Sequence, residues 1–376
     1  MSEYQFYEFR SIDRPLTAKE QQEIGRWSSR TYPTATGATF IYNYGDFSRD
    51  PKQVVGQYFD AMFYIANWGT TWLMFRFPQE LLDHPAIQSY CTVDGVSLSK
   101  HGKYVVLEMR FSDEEGYGWI DGEGYLSSLI GLRQDILKGD YRSLYLAWLH
   151  ACSQSREWTE FDTTLCEPRL SCRLTPFNGA LQSLIDLVHL DQDLVTAAST
   201  GQAGVTEKPS QDITAMISLL SETEKDHFLQ SLLNDEPLLS VKLRHRLQAL
   251  SGPSGGASTS PSRRTIGEIF QEAERSTQQR QEIERRKREE KQRQKLLKLE
   301  ADETTLWENV SQHISEKKPK AYDAAILILK DLLLLAEHRG TQTAYEQRIR
   351  NILKEYSRLS SLKSKIVKAK LLRASE

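Results

Sequence analysis

The sequence predicts an α+β N-terminal domain followed by a mostly α-helical C-terminal half that carries one long charged helix. Three observations predict it. Residues 1–120 interleave short aromatic and β-branched runs with capped amphipathic segments, so strands and helices alternate. From about residue 179 onward the apolar spacing is helical only. Between the helical segments lies "QEIERRKREEKQRQK" (281–295), with seven basic and four acidic side chains and Ile283 as its single apolar one. Such a stretch has nothing to bury.

The 376 residues suffice for two or three domains with at least one substantial core. The organisation read from them is an α+β domain over 1–175, a helical segment over 176–250, a flexible linker over 251–264, the charged helix over 265–301 and a C-terminal helical bundle over 302–376. Each element has its own reason. "YQFYEFRSI" is aromatic and extended. "LTAKEQQEIGRWSSR" offers Thr17 as a helix cap with Glu20 three residues on. "ATFIYNYGDF" reads as a strand, and Pro51 opens "PKQVVGQYFDAMFYIA" as one helix at its first turn. "NWGT" turns the chain into the strand "TWLMFRFP". "VSLSKHGKYVVLEMRF" forms a hairpin about His101 and Gly102. "GYLSSLIGLRQDILKGDYRSLYLAWLHACS" gives two helices broken at Gly139.

In the second half, "LQSLIDLVHL" is amphipathic. "SETEKDHFLQSLL" has Ser221 and Glu224 in capping-box positions and sets Phe228, Leu229, Leu232 and Leu233 on one face. "LLSVKLRHRLQAL" is a third amphipathic segment. "SGPSGGASTSPS" (251–262) has no residue that anchors a core and reads as a linker. The charged stretch is helical by local pairing: Glu282–Arg286, Glu284–Arg288 and Glu289–Arg293 sit at the favourable i,i+4 order. It is coiled-coil-like in length and charge. Its apolar residues, however, cluster only at the ends, Ile266, Ile269, Phe270 and Ala273 and then Leu296, Leu297 and Leu299, so the 3.5-residue seam of a coiled coil is missing. Beyond it, Leu306, Trp307, Val310 and Ile314 are helically spaced, "AYDAAILILKDLLLLAEHRG" follows Pro319 and ends at Gly340, and Tyr345, Ile349, Ile352 and Tyr356 mark another helix. Short connections make these antiparallel neighbours.

Composition narrows the function classes. The densest apolar run, "AAILILKDLLLLA", is broken by Lys330 and Asp331, which excludes a membrane span there. "MSEYQFYEFR" has no signal-peptide pattern, and four cysteines in so long a chain do not make a disulfide framework, so a cytoplasmic setting is expected. Residues 263–376 carry 26 Lys and Arg against 18 Asp and Glu, whereas residues 1–262 carry 22 against 33. Such a split points to different partners for the two halves, or to the two halves attracting each other.

"YNYGD" and "NWGT" bring polar and aromatic groups to strand ends, where ligand sites form, which makes Asn43, Asp46, Asn67 and Trp68 the candidate ligand-binding residues. The same aromatics and glycines also serve as core edge and turns. The acidic loop "SDEEGYGWIDGEG" holds Asp113, Glu114, Glu115, Asp121 and Glu123 without the alternation of an EF-hand. His150, Cys152, Cys166 and Cys172 lack the paired spacing of a zinc site. These patterns imply no metal or cofactor, and they leave any catalytic residue unidentified. In the C-terminal bundle, Leu334 and Leu335 within "LLLL" and Lys365 and Lys368 in the basic tail are the candidate partner-docking residues. Nucleic-acid binding by the basic half is the weaker reading, because Glu interleaves the basic residues and no aromatics intervene to stack bases.

"SEYQFYEFRSIDRPLT", "YNYGDF", "YFDAMFYIANWGT" and "LMFRFP" resemble the N-terminal signature of an uncharacterised bacterial protein family. The resemblance continues through "SETEKDHFLQSLL", "RTIGEIFQEAE" and "AYDAAILILKDLLLLAEHRG". The C-terminal helices also resemble the helical tails of bacterial SWIM-type zinc-finger proteins. The resemblance implies a bacterial, cytoplasmic protein, hands over no catalytic residues and suggests a SWIM-type protein as partner. The SWIM zinc signature, Cys-x-Cys followed by Cys-x-His, does not occur, so zinc is not implied. The leading expectation is therefore a non-enzymatic adaptor or scaffold. Its rival is an enzyme or small-ligand-binding protein with its site in the α+β domain.

Overall fold

Six short runs rich in large apolar side chains build one antiparallel sheet. In a computed structural model describing residues 3–113, 121–158, 161–200, 213–250 and 263–372, the chain divides into two compact units, Met1–Ser276 and Thr277–Glu376. The strands of the first unit are β1 (Gln5–Arg10), β2 (Gly37–Tyr42), β3 (Ala61–Ala66), β4 (Thr70–Pro78), β5 (Val96–His101) and β6 (Tyr104–Ser112), in the order β2-β1-β3-β4-β6-β5. β5 and β6 are the hairpin expected about Gly102, which holds φ at +62°. The α+β class followed by a helical half is the observed architecture.

Strand alternation sorts the sheet into two apolar faces. On one, Tyr7, Phe9, Phe40, Met62, Tyr64 and Met74 pack with Ile24 of α1 (Ala18–Gly25) and with Val54 and Val55 of α2 (Pro51–Tyr58). Thr17 and Glu20 form the capping box expected for α1. On the other face, Phe6, Phe63, Leu73, Phe75 and Leu107 pack under α4 (Tyr125–Leu129), α5 (Gly131–Leu137) and α6 (Arg142–Trp158). A short helix α3 (His84–Gln88) precedes β5.

One boundary differs from the sequence reading. "PKQVVGQYFDAMFYIA" is not one helix: α2 stops at Tyr58, and "AMFYIA" is β3. β3 lies between β1 and β4 and is buried on both sides at all six positions, so its apolar run carries no two-residue alternation to betray it.

The helices α7 (Gly179–Leu187) and α8 (Gln192–Thr200) place Leu181, Leu184, Leu194 and Val195 in the same core as the sheet. Val241 of α11 (Leu239–Leu250) joins it, as do Ile266, Ile269 and Phe270 at the start of α12 (Ile266–Ala301). Residues 1–175 and 176–250 thus share one interior rather than two. Between α8 and α11 run α9 (Ile213–Ile217) and α10 (Glu222–Leu233), the latter with the capping box of Ser221 and Glu224. The expected linker core, 251–262, lies outside the described residues.

Along α12, Glu282 meets Arg286 at 2.6 Å and Glu284 meets Arg288 at 3.8 Å, while Glu289 pairs with Arg285, four residues before it, at 3.6 Å and not with the expected Arg293. The second unit continues with α13 (Glu303–Ser315), α14 (Pro319–Arg339), α15 (Gln342–Glu355) and α16 (Ser360–Lys368). Trp307, Val310 and Ile314 pack with Tyr322, Leu329, Leu332, Tyr345, Ile349, Leu362 and Ile366. The Tyr345 hydroxyl donates to the Leu329 carbonyl at 2.8 Å, and Gly340 ends α14 in the left-handed conformation at φ +68°. Among the described residues no helix is long and apolar enough to cross a membrane.

Candidate functional site

The register brings the four candidate ligand residues to one end of the sheet. Gln5 stands opposite both Tyr42 and Ala66, so Asn43 and Asn67 leave neighbouring strands at the same edge. Two of the four are then absorbed by the fold. The Asn67 side-chain carbonyl accepts the Tyr4 backbone N–H at 3.0 Å, and Asp46 accepts from the Gln5 amide at 2.9 Å. The Gln5 carbonyl oxygen in turn accepts from the hydroxyls of Tyr7 at 3.0 Å and Tyr64 at 3.1 Å. Burial pushes the Tyr7 phenol up to about 12 and the Tyr64 phenol higher still, so both remain protonated donors. Asp46 therefore serves as the outer anchor of a buried hydrogen-bonded chain. Asn43 is exposed and lines a surface groove with Arg10, Tyr32 and Ile41, while Trp68 is exposed at the turn.

The most enclosed charges were not singled out in the sequence. Asp60, buried where β3 begins, accepts from Arg76 of β4 at 2.8 Å and from the backbone amides of Ile12 at 2.7 Å and Asp13 at 2.9 Å. Arg133 of α5 grips Asp13 through two bonds of 2.9 and 2.7 Å and donates to the Arg76 carbonyl at 3.0 Å. Burial alone would raise the Asp60 carboxyl, but Arg76, Arg133 and the two amides outweigh it and hold it below the ordinary range. Every charge has a partner of opposite sign and further hydrogen bonds, the condition under which buried ions are tolerated. The tetrad ties β1, β3, β4 and α5 together. Its one visible signal is Arg76 itself, a lone cation inside the apolar run "TWLMFRFP".

A second cluster lies on the same face as α2. Glu108 meets Lys52 and Arg110, both at 2.6 Å, and the Arg110 guanidinium lies 4.9 Å over the Trp72 ring. Burial works to raise the Glu108 carboxyl, and the two cations override it and keep it low. Like the tetrad, this cluster satisfies itself.

The sequence's other titratable candidates stay apart. His150 is buried edge-on to Phe111, and burial lowers its imidazole to about 4, which keeps it neutral. Cys152 is buried and its thiol is pushed up to about 12, while Cys166 is exposed and Cys172 points to Asp140 at 3.8 Å. Asp113 pairs with His189 at 3.2 Å, and Asp121 accepts from the Glu123 amide at 3.1 Å. Glu114 and Glu115 lie outside the described residues. Among the described residues no group of three or more His, Cys, Asp or Glu side chains is placed to hold a metal ion.

The C-terminal docking residues divide as well. Leu335 is buried against Leu296 and Leu299 of α12, with Leu334 partly covered beside it, while Leu332 belongs to the bundle core. The expectation of Leu335 as a docking residue is therefore corrected: the last turns of the charged helix cover it. Lys365 forms an ion pair with Asp323 and also donates to the Pro319 carbonyl at 3.1 Å, and Lys368 is exposed.

Open apolar surface stands elsewhere, on α10. Leu229, Leu232 and Leu233 are 60, 62 and 85% exposed, while Ser231 is only 5% exposed. Spacing i, i+3, i+4 makes the leucines one stripe, and that stripe faces solvent. Glu224 of the same helix is held against Arg246 of α11 at 2.6 Å, which fixes the polar side inward. The capping box and the apolar face of α10 were legible in the sequence; its orientation was not.

No protein-family model, no curated protein and no solved structure matches the chain. The family likeness accordingly rests on the quoted sequence stretches alone.

Proposed function

We propose that this is a non-enzymatic interaction protein that docks a partner protein on the leucine stripe of α10. The observation that carries the reading is the inversion of that helix, with Ser231 inside and Leu229, Leu232 and Leu233 outside. Covering a leucine fully contributes about 1.5–3 kcal/mol, so a helix that leaves three of them in water gains that energy only when something binds. Contiguous exposed apolar surface on an otherwise polar exterior is a common mark of an interface. The buried ionic and hydrogen-bonded clusters support the same reading, since their members are spent on one another. The SWIM-type partner is carried by the sequence resemblance of the C-terminal helices.

The test is partner recovery with the full chain, tagged and expressed in its native host. Leu232→Asp with Leu233→Asp should deplete a discrete set of co-purified proteins at least about tenfold, a loss of about 1.4 kcal/mol or more. Its melting temperature should stay that of the parent chain. Leu327→Asp, at an exposed leucine of the second unit, should leave the set intact. Recovery unchanged by the α10 variant would sink the proposal.

A further inference from the structure

The helix α10 carries charge as well as leucines, and the two share one line. Starting from Glu222, steps of four, three and four residues keep to one stripe of a helix, and in α10 they reach Asp226, Leu229 and Leu233, with Leu232 beside them. The Glu222 side chain is 86% exposed, and Asp226 is exposed. The solvent face of α10 is therefore acidic in its first two turns and apolar in its last two.

The other charges of the helix are engaged. Glu224 is held by Arg246 at 2.6 Å, and Lys225, the single Lys or Arg of α10, is held by Glu222 at 2.8 Å. Asp226 has no ion-pair partner among the described residues. Just past the helix end, Asp235 is exposed and Glu236 pairs with Lys242 at 2.6 Å.

This placement selects what can cover the stripe. A helix with its side chains is about 10 Å across, and Asp226 stands one turn from Leu229, so a helix lying over Leu229 and Leu233 also displaces water from Asp226. Stripping water from a carboxylate is unfavourable unless a cation takes its place. An uncharged or acidic apolar segment gains at the leucines and loses at Asp226. A second copy is disfavoured for the same reason. Antiparallel α10 helices with their leucines matched would set Asp226 of one beside Asp235 and Glu236 of the other. A helix whose apolar residues are followed by Lys or Arg gains at both ends. Laid antiparallel to α10, it carries those cations in its own last turns, where its macrodipole also favours them.

We infer that the leucine stripe of α10 takes an amphipathic helix of a partner protein whose apolar face runs on into Lys or Arg in its last two turns. The apolar side chains cover Leu229, Leu232 and Leu233, and the cations meet Asp226 and Glu222. The inference rests on the docking reading and deepens it by naming the chemistry of the partner.

The probe is a fluorescein-labelled, side-chain-stapled helical peptide of about five turns, long enough to hold its helix in water. Leucines line one face of its first half, and lysines continue that face through its last two turns. It is titrated by anisotropy into the full chain at low salt, beside a control with glutamate for each lysine and a control with glutamine for each leucine. The leucine–lysine peptide should bind at least about tenfold tighter than either control. Glu222→Gln with Asp226→Lys should weaken it at least about tenfold, tighten the glutamate control and leave the thermal melt that of the parent chain. Asp226→Asn should fall between. Leu232→Gln with Leu233→Gln should also weaken the leucine–lysine peptide at least about tenfold.

The inference is overturned by an absence of saturable binding up to about 1 mM, by equal affinity for the lysine and glutamate peptides, or by a Kd untouched by Asp226→Lys. Equal binding of the glutamine control overturns it too, because the site is then an acidic surface without an apolar half. So does self-association of the full chain that Leu232→Asp with Leu233→Asp abolishes, because a second copy then covers the stripe. If the peptides fail while that variant still loses its co-purified proteins, the basic helix is removed and the docking reading stands. If recovery is unchanged as well, both fall.

Discussion

Two leucine-rich helices of this chain meet opposite fates. In α14, Leu329, Leu332 and Leu335 are buried, covered by α13, α15, α16 and the last turns of α12. In α10, Leu229, Leu232 and Leu233 stand in solvent, and α11 takes up the side that carries Glu224. Residue type is the same in both. What differs is how many neighbours the fold supplies, and the shortfall on α10 is what motivates the docking proposal. The same contrast holds for charge. The Asp13–Asp60–Arg76–Arg133 tetrad is closed and fully partnered, while the ion pairs along α12 are solvated and individually weak.

Three substitutions sharpen the contrast, from the most covered site to the least. Arg76→Ala leaves Asp60 buried without its nearest cation and should cost the first unit about 3–5 kcal/mol, read by chemical denaturation. Its pH dependence follows from the direction of the Asp60 shift. A carboxyl held below its unfolded value of about 3.9 stabilises the fold above that pH and loses the contribution as pH falls through the folded value. The parent chain should therefore unfold at lower pH than Arg76→Ala. Coincident acid transitions would show that the tetrad does not set acid stability.

Next comes Leu329→Ala on α14, expected to cost the second unit about 2–5 kcal/mol by loss of transfer energy and creation of a cavity. Smallest is Leu233→Ala on α10, which should shift stability by no more than about 0.5 kcal/mol in the isolated protein. A loss at Leu233 comparable to that at Leu329 would mean that the stripe is packed in solution, and the contrast between the two helices would fail.

Much of this fold was legible in the sequence, and the failures have physical causes. Thr17 with Glu20, Ser221 with Glu224, Pro51, Pro319 and Gly340 act within a turn of their own position, so local chemistry was enough to place those helix ends. The α2–β3 boundary was missed because a strand buried on both faces carries no alternation. Asp13, Asp60, Arg76 and Arg133 are distant in sequence, and only the sheet brings them together. Asn43, Asp46, Asn67 and Trp68 were read from sequence as lying at strand ends, but the hydrogen bonds that absorb Asp46 and Asn67 come from Tyr4 and Gln5, on and beside a third strand, which local sequence does not show. Leu335 was read as a docking residue because nothing in its own helix reveals that Leu296 and Leu299 cover it.

The most direct measurement is site-specific photocrosslinking from α10 in the native host. A photoreactive side chain replaces Gln230, exposed beside the stripe, and in a second strain replaces Leu327 on α14. The account predicts a discrete crosslinked protein from position 230 that is absent from position 327 and disappears when Leu232→Asp and Leu233→Asp are added. An adduct that persists in that variant, or no adduct at 230 beyond the background at 327, would contradict the claim that the leucine stripe of α10 is a docking surface.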